Sequence, residues 1–112
     1  MKITGHAGEE SVIRVRTIGD DEPRQFEVAV QDRRGESLRQ VTMSKVDIKR
    51  LAPGTVTPGE CIRAAFLFLL DREPRESILR RFDVSVIEYY FPDFTREFPR
   101  YLNERPSSQD KS

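Results

Sequence analysis

The chain has 112 residues, with 37% hydrophobic and 34% charged residues, which suits one globular domain with a heavily charged surface. Its 19 basic residues balance its 19 acidic residues, so it lacks the basic excess usual in proteins whose main role is to bind phosphate backbones. The single cysteine, Cys61, excludes an intrachain disulfide, and with His6 as the single histidine no short zinc-ligand cluster exists in the sequence.

The first part of the chain, residues 11–44, has the period-two alternation of half-buried β-strands. Two short loops rich in turn-forming residues, 19–23 and 32–36, separate three alternating runs. Consecutive strands joined by loops this short pair antiparallel. The sequence therefore predicts a three-stranded antiparallel meander with one dry face, while the other face carries Arg14 and Arg16.

Helical signals replace the alternation after residue 44, and the strongest of them opens a helix over residues 58–72. Thr57 is an N-cap residue, Pro58 stands at the first helical position and Glu60 completes a capping box. This helix is apolar almost all round, which is typical of a buried helix, so we expect it to be the central element. The remaining helices are predicted over 45–52, 75–82, 84–91 and 93–104. The fold class is thus predicted as α+β, a three-stranded meander followed by four or five helices packed around helix 58–72.

An aromatic run between Tyr89 and Tyr101 holds six of the ten Phe and Tyr residues of the chain. Its phenylalanines recur at three- and four-residue steps and predict one inward-facing stripe. The tyrosines cannot all follow that stripe, and tyrosine is enriched at protein interfaces. Tyr89, Tyr90 and Tyr101 are therefore the candidate interface residues.

An alternative function is nucleic-acid binding. Residues 76–87 have the rhythm of a helix, a tight turn and a second helix. The second helix lacks the Arg, Lys, Asn and Gln side chains that read base edges, so a plain helical corner is the better interpretation. The contacts in this alternative come from four arginines on the polar face of the sheet and its loops: Arg14, Arg16, Arg33 and Arg34.

Catalysis has little support in the sequence. Cys61 lies near a helix N-terminus but among apolar neighbours, which is typical of a buried structural thiol. Carboxylates that could act in pairs are Asp71 with Glu73 and Asp83 with Glu88, and both pairs lie among arginines as on a salt-bridged helix surface. We predict no catalytic residue, no cofactor and no metal. An active site assembled from scattered carboxylates remains open.

The segment from Phe66 to Phe94 contains the pattern FLLxREPxESILxxFD…YFP. In this pattern it resembles a segment of small uncharacterised bacterial proteins. The resemblance implies a bacterial origin and attaches no activity to the chain.

Several further expectations concern organisation and location. Residues 1–104 are predicted to form a single domain, and the polar residues 105–112 a disordered tail. The N-terminus has no apolar signal region and the longest apolar stretch, Ala64 to Leu70, is too short to span a bilayer, which predicts a cytoplasmic protein without membrane contact. The predicted function is a non-enzymatic protein–protein interaction or adaptor module that binds a protein partner or forms a homo-oligomer.

Overall fold

The computed structural model describes residues 11–19, 21–52 and 54–103, which form a small α+β domain. In chain order its elements are β1 (Val12–Gly19), β2 (Arg24–Asp32), β3 (Gly35–Met43), α1 (Lys45–Leu51), α2 (Pro58–Leu70), a short 3-10 helix (Arg75–Ser77), β4 (Arg81–Asp83), α3 (Ser85–Tyr90) and α4 (Phe94–Leu102). The predicted tail, 105–112, and His6 lie outside the described residues.

The four strands form one mixed sheet in the order β1-β2-β3-β4, in which β1, β2 and β3 are antiparallel and β4 runs parallel to β3. The turn between β2 and β3 is held by Asp32, whose Oδ1 accepts hydrogen bonds from the backbone N–H groups of Arg34 and Gly35 at 2.8 and 3.2 Å. Gly35 has a φ of +153°, and a Cβ there would lie 3.2 Å from Nη2 of Arg75. The backbone conformation favours glycine here, and a larger residue would also require the Arg75 side chain to shift.

The predicted fold class was wrong, because the sheet has four strands of mixed direction and four helices stand where four or five were expected around a central one. The difference arises in residues 75–82, which were predicted as a helix. Gln40 N–H donates to the Arg80 carbonyl and Val84 N–H to the Thr42 carbonyl, both at 2.9 Å, so this segment adds a strand to β3.

A side chain from the sheet bonds backbone carbonyls of the 3-10 helix and of the segment between it and β4. The Arg39 guanidinium donates to the carbonyls of Ile78 and Arg75 at 2.9 and 3.1 Å. The apolar spacing of Ile78 and Phe82 fits one face of a helix, but both side chains also reach the core from an extended backbone. Phe82 lies opposite Val41 in the parallel ladder, and this long-range pairing overrides the local pattern.

Helix α2 begins as expected. Glu60 N–H donates to Thr57 Oγ1 at 3.1 Å, and Thr57 N–H donates to Glu60 Oε1 at 3.0 Å, which completes the capping box. The helix ends at Leu70, two residues before the predicted end. Most of its side chains are buried: Cys61, Ile62, Ala64, Ala65, Phe66, Phe68, Leu69 and Leu70.

An aromatic cluster centred on Phe68 holds α4 against α2. The rings of Phe94, Tyr101 and Phe91 meet the Phe68 ring edge to face, with centroids 4.9, 5.6 and 5.8 Å away. The guanidinium of Arg72 lies 3.6 Å from the Phe68 centroid. Because these side chains bury large areas, the C-terminal helix is anchored mainly by this contact.

The outer face of the sheet carries polar side chains bonded to one another. Arg16 pairs with Glu27 at 2.6 Å and Arg14 with Glu36 at 3.2 Å. Among the residues that the structure describes, no helix has the length and apolar character needed to cross a membrane.

Candidate functional site

An apolar groove of about 320 Å³ opens between the C-terminal end of α2, the segment leading into β4, and α3. We name it the α2–α3 groove. Its volume lies at the lower end of the range of ligand pockets, which are mostly apolar with a few polar groups. It is lined by Leu69, Glu73, Ser77, Ile78, Leu79, Phe82, Val86, Ile87, Tyr90 and Phe91.

The extended backbone after the 3-10 helix determines which residues form the floor and which form the rim. Ile78 and Phe82 point into the core and contribute the floor. Leu79 is 49% exposed and Tyr90 is 62% exposed, and both stand on the rim. The predicted helix 75–82 places Leu79 in one apolar stripe with Ile78 and Phe82, so its exposed position on the rim could not be derived from the sequence.

Among the residues that the structure describes, Glu73 is the one carboxylate that lines the groove. Its backbone N–H donates to the Leu69 carbonyl at 2.9 Å, which holds it in the turn that follows α2. Among the described residues no side chain or backbone group pairs with its carboxylate. Desolvation raises the pKa of Glu73 above its usual value. The C-terminal end of a helix also disfavours a negative charge. Both desolvation and the helix dipole therefore disfavour the ionised form of Glu73.

Two of the three candidate interface tyrosines lie at the surface beside this groove. Tyr89 is 81% exposed and its ring meets the ring of Tyr90 edge to face, with centroids 5.3 Å apart. Tyr90 also lines the groove. An exposed aromatic pair next to an apolar depression is typical of a recognition surface.

The third candidate tyrosine is in the core. Tyr101 is only 2% exposed, and its hydroxyl donates to Asp71 Oδ2 at 2.6 Å. It follows Phe94 and Phe98 at positions i+7 and i+3, so it belongs to the same inward stripe of α4. The helical spacing could have assigned it there, because the polar tip of a buried tyrosine only needs one partner.

The four candidate nucleic-acid contacts lie on the outer face of the sheet and in the adjoining β2–β3 turn. Arg14 and Arg16 are held by carboxylates, as described above. Arg33 and Arg34 line a second cavity of about 530 Å³.

The second cavity has an ion pair between Arg75 and Asp32 on its wall. Arg75 is buried on its wall, donates to Ser37 Oγ at 2.7 Å and places Nε 2.9 Å from Asp32 Oδ2, off the axis of the N–H bond. Desolvation acts to raise the pKa of Asp32, but the hydrogen bond from the Arg34 backbone and the Arg75 guanidinium hold it below its usual value. This arrangement fixes the β2–β3 turn against the 3-10 helix.

Three of the four carboxylates weighed as catalytic pairs have structural partners. Asp71 accepts from Tyr101, and Asp83 accepts from the Ser85 N–H at 3.1 Å. Glu88 pairs with Arg50 at 2.6 Å and accepts from Thr95 at 3.0 Å. Glu73 alone has no such contact among the described residues.

The cysteine considered as a reactive thiol, Cys61, is buried. Burial raises the pKa of the Cys61 thiol to about 12, so the nucleophilic thiolate is scarce at neutral pH. Within residues 11–19, 21–52 and 54–103, no three His, Cys, Asp or Glu side chains are grouped to hold a metal ion.

Compared with known proteins, the chain matches no protein-family model, no curated protein and no solved structure.

Proposed function

We propose that this protein is a non-enzymatic interaction module that binds a segment of another protein in the α2–α3 groove. The observation that carries the proposal is the apolar groove with the exposed Tyr89–Tyr90 pair on its border. Interfaces are enriched in tyrosine, and apolar patches that remain exposed on a domain often mark docking sites.

The groove offers what a short segment needs for binding. Its floor is formed by packed side chains such as Phe82 and Ile87, which do not have to be reordered when a partner arrives. Leu79 and Tyr90 on the rim would lose solvent contact when an apolar side chain is inserted. Tyrosine anchors in such positions commonly contribute about 2 kcal/mol or more to binding when truncated to alanine.

Nucleic-acid binding has less support. Arg14 and Arg16 already face carboxylates at 3.2 and 2.6 Å, which lowers the positive potential that phosphates would meet. The bacterial origin and the cytoplasmic location remain predictions from the sequence.

The test is a selection of displayed random 16-residue peptides on the full chain, followed by mapping of the selected peptides with amide chemical shifts. We expect shifts concentrated at residues 77–91, and binding about 30-fold weaker for Tyr90→Ala. The matched control is Leu38→Ala, because Leu38 on the outer sheet face is 54% exposed and should leave binding unchanged. Failure to select any peptide, or shifts confined to the sheet, would contradict the proposal.

A further inference from the structure

The position of Glu73 gives the α2–α3 groove a chemical preference that its apolar walls alone would lack. The carboxylate is set among Leu69, Ile78 and Phe91 in the lining. An apolar wall excludes water on one side, so an ionised group there is less well hydrated than on an open surface. A partner that supplies a positive charge would remove this penalty.

The positive charges nearest to Glu73 in sequence have other partners. Arg72 donates to the Phe68 carbonyl at 3.1 Å and to the Tyr101 hydroxyl at 3.2 Å, and it stacks on the Phe68 ring. Arg75 is directed to Ser37 and Asp32 in the second cavity. Among the described residues that line the groove there is no lysine or arginine.

We propose that Glu73 selects the occupant of the α2–α3 groove, namely a protein segment in which a lysine or arginine is flanked by apolar side chains. The inference rests on the proposed function and names the class of segment that the groove would bind. The apolar side chains occupy the floor over Phe82, and the cation pairs with the Glu73 carboxylate. Tyr90 and Phe91 offer aromatic surface to the same cation.

The strength of this pairing comes from its surroundings. A fully exposed ion pair contributes little, because water screens both charges. A charge-assisted hydrogen bond that is partly desolvated is stronger, and its loss typically weakens binding by about 10-fold or more. Glu73 should therefore affect which segments bind more than how firmly the domain itself is folded.

The experiment uses three forms of the full chain: the wild type, Glu73→Gln and Glu76→Gln. The glutamine keeps the shape of residue 73 and removes its charge. Glu76 is the matched control, since this exposed carboxylate lies three residues further on and lines the second cavity instead. Displayed random 16-residue peptides are selected on each form. One selected peptide is then synthesised with its basic residue and with norleucine in its place.

The wild type and Glu76→Gln should enrich a basic residue among apolar ones, and Glu73→Gln should enrich apolar residues alone. In titrations, norleucine should weaken binding to the wild type about 10-fold and binding to Glu73→Gln hardly at all. Equal losses in both forms, or apolar peptides without a basic residue on the wild type, would overturn the role of Glu73 while leaving the groove as a docking site. No enrichment on any form would overturn both proposals.

Discussion

The β1–β3 part of the sheet and the segment from Glu73 to Phe91 differ in whether their exposed side chains have partners. On the outer sheet face, Arg16 of β1 is matched by Glu27 of the neighbouring strand β2, and Arg14 of β1 is matched by Glu36 of β3. In the second region Glu73 has no counterpart among the described residues, and Leu79 and two tyrosines remain exposed side by side.

Leu38 and Leu79 show the same contrast with a single residue type. Both are about half exposed, yet Leu38 lies on a strand between polar neighbours, whereas Leu79 adjoins a groove with aromatic walls. An isolated exposed leucine is ordinary, but a contiguous apolar patch is not. Local rules that are satisfied in one region and broken in another point to the second region as the place of function.

The largest expected effect is the loss of unfolding free energy when a buried phenylalanine is truncated in each of the two regions. Phe26 is fully buried between strands, so Phe26→Ala should lower the free energy of unfolding by about 4 kcal/mol. Phe82→Ala should lower it by about 3 kcal/mol or less, because the space that it leaves opens to the groove and to solvent. Urea denaturation monitored by circular dichroism measures both. A larger loss for Phe82→Ala would mean that the groove floor is a closed part of the core.

The contact between the two regions can be broken at Arg75, which joins the 3-10 helix to the β2–β3 turn. Arg75→Ala removes the ion pair with Asp32 and the hydrogen bond to Ser37, and it should lower the free energy of unfolding by about 2–3 kcal/mol. The control is Arg16→Ala, whose exposed ion pair with Glu27 should matter by less than about 1 kcal/mol. Equal losses of unfolding free energy would show that the buried Arg75 stabilises the fold no more than the exposed Arg16.

The smallest expected effect is the contribution of the Glu73 carboxylate to the pH dependence of the domain's stability. Its folded-state pKa is raised, so the folded state holds the proton more firmly than the unfolded state. Stability should therefore fall as the pH rises from the ordinary glutamate value of 4.5 through the raised folded value. Glu73→Gln removes this slope and should be slightly more stable at pH 7, by less than about 0.5 kcal/mol, with no advantage at pH 3.

Thermal unfolding of the wild type, Glu73→Gln and Glu76→Gln between pH 3 and pH 7 measures the effect. A loss of stability in Glu73→Gln at pH 7 would show that the carboxylate has a structural partner. A carboxylate that weakens the fold slightly is the expected mark of a residue retained for binding.

Several features could be predicted from the sequence because they depend on neighbouring residues. Alternation with a period of two marks the positions of β1, β2 and β3, and Thr57 with Glu60 marks the start of α2. Tyr89 and Tyr90 could be recognised as surface candidates because they fall outside the stripe of the phenylalanines. In each case the deciding contact lies within a few residues or across one short loop.

The groove and its carboxylate were decided by the tertiary structure. Residues 75–82 carry an apolar spacing that suits a helix, but pairing of residues 81–83 with β3, about forty residues earlier in the chain, makes the second half of this segment extended. Ile78 and Phe82 then point inward, Leu79 stays on the rim, and Glu73 in the turn after α2 lines the same groove. No local pattern encodes such a contact, because its free energy comes from hydrogen bonds and burial shared between distant segments.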